Sequence, residues 1–325
     1  MASTDTLSSL ERYSIACEDA AGRIISAYST SFGTATALLG ARHRRHVRNL
    51  YALVRVADEL VDGVAAQVGM GAAEQRQQLD ALEQETEAAM RSGYSSNPVV
   101  HAFARTAREA DIGPELTRPF FASMRMDLPA DGASEPASEP ASEVAAEPVA
   151  GAHATASPAG IRAFDQAEHA VYVHGSAEVV GLMCLRVFMR GEARSEDQLR
   201  RLDYGARQLG AAFQNVNFLR DLGDDTERLG RGYLGAEVEL TPEQQQRWIL
   251  TIRRQLTDAE AVLPLLPGDA RGAVGCALRF FAKLTDQLER TPADGLRERR
   301  ARVSNPVKVW LALRALVSAR RVGLA

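Results

Sequence analysis

The chain has 325 residues, 46% of them hydrophobic and 25% charged, with a formal net charge of −4. That length supports one large core or two ordinary ones, and the small negative charge excludes a global basic field that would recruit nucleic acid. Aromatic residues are sparse, and Cys17, Cys184 and Cys276 stand far apart with no CxxC, which argues against a base-stacking surface and a thiolate zinc site and fits a reducing cytosol.

The first residues, 1–12, are polar and read as a ragged start without the apolar core of a signal segment. No uninterrupted apolar run approaches the roughly 18 residues of a membrane span. Residues 13–39 are helix-like, interrupted by the small polar cluster Ser29, Thr30, Ser31, Phe32 and Gly33. Residues 42–62 place Val47, Leu50, Tyr51, Val54, Leu60 and Val61 at helical spacing, with Gly63 as a candidate C-cap. Further helices are expected over 67–91, 99–111, 115–127, 164–190 and 195–225. Thr241-Pro242-Glu243 starts another, and helical pattern continues over 257–263, 269–288 and 306–321. No other segment alternates as a strand does, so the expected fold class is all-α.

Residues 129–160 differ in kind. They repeat A-S-E-P-like units, contain acidic residues without Lys or Arg, and nearly lack large apolar side chains. Such a composition buries too little surface to offset the entropy of ordering, and it reads as a disordered insertion in a loop. The expected organisation is one domain over 13–321, interrupted by that insertion, because the helices on both sides carry parts of one site.

Two short stretches supply the chemistry. Residues 55–62 read R-V-A-D-E-L-V-D, with Asp58 and Asp62 at i and i+4 and Arg55 one turn before them. Residues 214–225 read Q-N-V-N-F-L-R-D-L-G-D-D, with Asn217, Asp221 and Asp225 at i, i+4 and i+8 and Arg220 beside the row. On a helix this spacing stacks oxygen-bearing side chains on one face. A single D-x-x-x-D is usually a solvated face. Here both rows are embedded in apolar sequence, where unpaired carboxylates are costly, and both have the same arginine-plus-carboxylate construction. They suggest two facing helix walls with metal ions and diphosphate between them. Hard oxygen ligands that leave room for water and phosphate suit Mg²⁺, and the arginines suit phosphate oxygens.

The chain resembles the squalene/phytoene synthase family of head-to-head isoprenyl diphosphate synthases. The resemblance is carried in order by 29–32, by Y51-A-L-V-R-V-A-D-E-L-V-D62, by 124–128, by Y172-V-H-G-S-A-E-V-V-G-L-M183, by 214–225 and by G230-R-G-Y-L234. It implies an isoprenoid synthase fold with a central cavity, and Mg²⁺, with Mn²⁺ as an alternative, bound through Asp58, Asp62, Asn217, Asp221 and Asp225. It further implies that Ser29, Ser31, Arg55, Gln214, Arg220 and Arg231 hold diphosphate and that Tyr233 lies near the reacting carbons. In similar proteins two C20 diphosphates join through a cyclopropyl intermediate, prephytoene diphosphate, to give phytoene, the entry to carotenoids. Alternatives are a squalene or dehydrosqualene synthase using C15 diphosphates, or a non-catalytic scaffold of the same fold. The implied partners are isoprenyl diphosphates and downstream carotenoid enzymes, with no nucleic acid.

Three departures from the family pattern matter. Glu59 stands where the motif usually has a second Asp, and Thr30 where a lysine often lies. Counting back from Gly181 puts His174 at a family tyrosine near the reacting centre, although Tyr172 lies two residues earlier. The other histidines, His43, His46, His101, His153 and His169, show no ligand spacing and read as surface. Phe32, Leu53, Leu182, Met183 and Phe218 are candidates for the dry wall around a carbocation. The basic end from Arg297, with Trp310, reads either as a packed helix with solvated arginines or as a membrane-surface helix suited to lipid-like products, which would make a cytoplasmic protein peripheral at the inner face of the membrane.

Overall fold

A computed structural model describes residues 7–29, 31–129, 162–163, 165–228, 231–232, 240–293 and 295–298. Side chains are described for all of these except 31, 162–163, 222–228, 231–232 and 297–298. The insertion at 130–161, Tyr233 and the basic end from Arg299 lie outside the described residues.

The fold is all-α. In chain order the helices are α1 (Ser9–Tyr28), α2 (Ser31–Ala37), α3 (Ala41–Val61), α4 (Val64–Gln67), α5 (Ala72–Ser92), α6 (Pro98–Glu109) and α7 (Pro114–Met126). These are followed by α8 (Gln166–Val173), a π-helical turn (His174–Glu178), α9 (Val179–Met189), α10 (Glu196–Arg228), α11 (Pro242–Ala261), α12 (Gly268–Arg290) and α13 (Gly295–Glu298). A two-residue parallel pair, β1 (Arg162–Ala163) with β2 (Arg231–Gly232), joins the chain after the insertion to the chain after α10.

The helix starts follow local chemistry. Ser8 with Glu11, Asp165 with Glu168, and Thr241 with Gln244 form capping boxes, and Pro98, Pro114 and Pro242 sit where no intrahelical N–H is needed. The Ser8 box starts α1 at Ser9, inside the stretch whose polarity reads as ragged. Glycines at 69 and 71 split the expected helix over 67–91 into α4 and α5, and residues 257–261 belong to α11 rather than to a separate helix. The large core joins α3, α5, α6, α7 and α9, and a second cluster packs α10 on α11 and α12.

The helix through α8, the π turn and α9, Gln166–Met189, is long and apolar enough by composition to cross a membrane, although no uninterrupted apolar run in it reaches that length. In this fold 56% of its apolar window is buried against other helices, as in the central helix of a bundle. It lies close against α10. A Cβ on Gly181 would lie 2.6 Å from the Ala206 carbonyl oxygen, and one on Gly210 would lie 2.4 Å from that of Ala177. Only glycine permits that backbone approach.

The histidines read as surface are mostly core. His43, His46 and His101 are each 1% exposed. His46 Nδ1 lies 2.9 Å from the Thr106 hydroxyl and His101 Nε2 lies 2.9 Å from that of Ser14, so polar partners from other helices satisfy them. Spacing for metal ligands was the wrong test for burial; the tertiary partner decides it.

Candidate active site

A cavity of about 250 Å³ runs between α2, α3, the π turn, α9, α10 and α12. Its lining is hydrocarbon apart from Thr36, Ser176, Gln214 and the Cys184 thiol. On α10 the lining positions Leu202, Ala206, Gly210 and Gln214 form one helical stripe, and Asn217 and Asp221 continue it at i+3 and i+7 from Gln214. Asp225 is on the same α10 backbone one turn further; its side chain lies outside the described residues. On α3, Val47 lines the cavity and Tyr51, one turn on, stacks on the lining residue Phe32 with ring centroids 5.7 Å apart. Arg55, Asp58 and Asp62 continue that stripe. Each acidic row therefore follows directly from an apolar stripe of the same cavity.

A relay of contacts runs from the α3 row toward the α10 row. Gln75 donates to the carbonyl of Leu60, beside Asp62 (2.8 Å), and its neighbour Arg76 donates to that of Pro129 (2.9 Å). Two residues before Pro129, buried Asp127 accepts from the Tyr172 hydroxyl (2.9 Å), and the Tyr172 ring lies 5.8 Å from Phe218, next to Asn217.

Each wall carries its own arginine. Arg55 Nη1 donates to Asp58 at 2.5 Å, its Nη2 donates to Glu59, and its guanidinium lies over the Tyr28 ring at 4.4 Å. Burial works against the Arg55 charge, but Asp58 and Glu59 outweigh it and raise its pKa. Arg55 Nε is buried and finds no acceptor among the described residues. Arg220 grips Asp221 with two donors, at 2.9 and 2.5 Å. Ser29 Oγ accepts from the Phe32 backbone N–H at 3.1 Å and is hydrogen bonded to Tyr51, whose phenol burial pushes up in pKa. The Ser31 and Arg231 side chains lie outside the described residues, as does Tyr233 entirely; backbone pairing puts Arg231 beside Arg162.

By chemistry the candidate donors suit Mg²⁺: they are hard oxygens, Asp58 and Asp62 on α3 and Asn217 and Asp221 on α10. Among the described residues no group of three His, Cys, Asp or Glu side chains is placed to hold a metal ion by itself. Mg²⁺ commonly takes one or two carboxylates and completes its shell with water and substrate phosphate. The unfilled Arg55 Nε–H is a donor for the anion such a metal brings.

His174 is not among the cavity-lining residues. Its Nδ1 lies 2.9 Å from Glu178 and 3.1 Å from Arg207, while Ser176 and Ala177 of the same turn line the cavity. Tyr172 is buried on Asp127 beside Phe218. Of the expected dry wall, Phe32 lines the cavity, whereas Leu53, Leu182, Met183 and Phe218 are buried in the packing around it. Residues that the sequence did not single out, among them Thr36, Cys184, Phe188 and Phe213, complete the lining. Burial pushes the Cys184 thiol up to about 12, so it stays protonated and presents no thiolate to a cation.

The sequence profile described as Squalene/phytoene synthase matches residues 25–306. The 15-cis-phytoene synthase of Pantoea ananas is 28% identical over 309 residues, covering 88% of this chain and 87% of that protein. The phytoene synthase of Arthrospira platensis is 26% identical over 300 residues, covering 85% of each. A dehydrosqualene synthase crystal structure superposes with a TM-score of 0.69 at 19% identity, covering 96% of this chain and 98% of that one, a likeness of fold. With a profile match across most of its length, the chain belongs to the squalene/phytoene synthase family and is a prenyltransferase, in a family that condenses isoprenyl diphosphates head to head.

Proposed function

We propose that the chain is a phytoene synthase, condensing two geranylgeranyl diphosphates through prephytoene diphosphate to phytoene with Mg²⁺, or Mn²⁺ in its place. The observation that carries this reading is the continuity of each Arg–carboxylate row with an apolar stripe of one cavity. A substrate with a diphosphate head and a hydrocarbon tail matches that layout end to end. Similarity to bacterial and cyanobacterial phytoene synthases supports the C20 substrate.

Bound Mg²⁺ would supply the charge that lets diphosphate leave an allylic carbon. Asp58, Asp62, Asn217 and Asp221, with Asp225 continuing the row, would hold it. Arg55 and Arg220 would take phosphate oxygens, and Ser29 and Gln214 would supply further hydrogen-bonding groups. The hydrocarbon lining excludes water that would quench the carbocation, and the faces of Phe32 and Phe213 offer it electron density. The Tyr172 phenol is held by Asp127.

The proposal extends to location: a cytoplasmic enzyme, peripheral at the inner face of the membrane where its C40 product partitions and downstream carotenoid enzymes act. The test of function is incubation of the purified chain with Mg²⁺ and either farnesyl or geranylgeranyl diphosphate, followed by identification of the hydrocarbon. Phytoene from the C20 substrate is expected. A C30 product from the C15 substrate, with none from C20, would make it a squalene or dehydrosqualene synthase, and no product from either would refute the reading.

A further inference from the structure

The first acidic row reads D-E-x-x-D, and Glu59 lies off the Asp58–Asp62 face. We propose that Glu59 is a positioning residue that holds Arg55 ready for the substrate's diphosphate, and that it is not a metal ligand. This rests on the metal–diphosphate reading of the two rows.

Both Glu59 oxygens have partners. Oε1 takes the Arg55 guanidinium, and Oε2 accepts from the Val64 backbone N–H at 2.9 Å, which caps the first turn of α4. Residue 63 makes this possible. A Cβ on Gly63 would lie 1.9 Å from Glu59 Oε2, so the carboxylate occupies the place of a side chain at that position. An aspartate at 59 would be shorter by one methylene, about 1.5 Å, and could not reach the Val64 N–H and Arg55 together.

The result is an arginine fixed from two sides. Glu59 holds one terminal nitrogen, and the Tyr28 ring covers the face of the guanidinium. Asp58 holds the other terminal nitrogen from within the candidate metal row. Were Asp58 to take a metal ion, Glu59 on Nη2 would still hold Arg55 in place, and Nη1 and the unfilled Nε, on opposite edges of the guanidinium, would each offer a single donor to a phosphate oxygen. Glu59 thus separates holding the arginine from holding the metal, two tasks that a second aspartate on this helix would not divide.

The test uses the full-length chain with Mn²⁺ and inorganic diphosphate as probes. Mn²⁺ binding alone is followed by electron paramagnetic resonance, and diphosphate binding in saturating Mn²⁺ by calorimetry. Glu59→Asp keeps the charge and shortens the reach by one methylene. It is expected to weaken diphosphate binding by about tenfold, the scale of one charge-assisted hydrogen bond, while Mn²⁺ affinity stays within about threefold. Gly63→Ala, whose Cβ would meet the Glu59 carboxylate and also, at 2.8 Å, the Glu59 Cα, displaces the carboxylate together with the end of α3 and is likewise expected to weaken diphosphate binding. In turnover both changes raise KM more than they lower kcat. Asp58→Asn, by contrast, is expected to weaken Mn²⁺ binding directly. Wild-type diphosphate affinity in both Glu59→Asp and Gly63→Ala would overturn the inference, as would a loss of Mn²⁺ affinity in Glu59→Asp equal to that of Asp58→Asn. Failure of the wild-type chain to bind diphosphate with Mn²⁺ would overturn the metal–diphosphate reading itself, and the inference with it.

Discussion

The two acidic walls solve the same electrostatic problem differently. On α3, Arg55 precedes its carboxylates by three and four residues and is shared between Asp58, in the metal row, and Glu59, outside it. On α10, Arg220 grips its immediate neighbour Asp221, which is itself in the row. If Asp58 takes a metal ion, the first wall keeps its arginine on Glu59. Among the described residues Arg220 is paired with Asp221 alone, so on the proposed reading both charges of that wall depend on Asp221.

The largest expected effect breaks the α10 wall. Asp221→Ala removes a candidate metal ligand and frees Arg220, and hydrocarbon formation should fall by about 10³-fold or more, measured by product quantification. Asp58→Asn sharpens the comparison. Arg55 stays on Glu59, so diphosphate affinity measured by calorimetry should survive better than in Asp221→Asn, by about tenfold.

Smaller effects lie away from the walls. Gly210→Ala sets a methyl group against the Ala177 carbonyl where the cavity is bounded by α10 and the π turn. It should cost about 1–3 kcal/mol of stability in denaturant unfolding, with the acidic rows intact. His46 gives a pH dependence of comparable size. Burial depresses its folded pKa from 6.5 to about 4, so the unfolded chain takes up the proton first as pH falls. Stability is then complete above about pH 6.5 and declines progressively toward pH 4, by up to about 3 kcal/mol. His46→Gln should flatten that part of the stability–pH curve measured by urea unfolding. The smallest effect is expected from deleting residues 131–159, which should leave turnover within about twofold, because their Ala/Ser/Glu/Pro-rich sequence carries no candidate catalytic residue.

The legibility of the sequence follows the same division. Helical spacing alone aligned Asp58 with Asp62 and Asn217 with Asp221, because angle around a helix is a property of the local chain. Thr241 with Pro242 marked the start of α11 for the same reason, whereas the Ser8 capping box of α1 lay in a stretch that reads as ragged. What spacing does not encode is the neighbour across the gap. Leu182 and Met183 have the composition of cavity wall, yet they are packed core, while Thr36 and Cys184 line the cavity. His43, His46 and His101 look solvated until Asp269, Thr106 and Ser14 are brought beside them. The π turn at His174–Glu178 changes the residue count per turn, so ordinary helical spacing does not carry through it from Gly181 to His174 and Tyr172. Glu59 reads as a conservative exchange for aspartate, and its reach acquires meaning only with the empty place at Gly63.

The central claim is that the α3 and α10 rows are two halves of one clamp. A double-mutant cycle on Mn²⁺-dependent diphosphate binding, with Asp58→Asn, Asp221→Asn and the pair together, tests it most directly. The account predicts that each single change weakens binding strongly and that the double change is weaker by much less than their sum, a coupling of about 1 kcal/mol or more. Independent, additive losses would mean that the two rows do not share a ligand, and would contradict it.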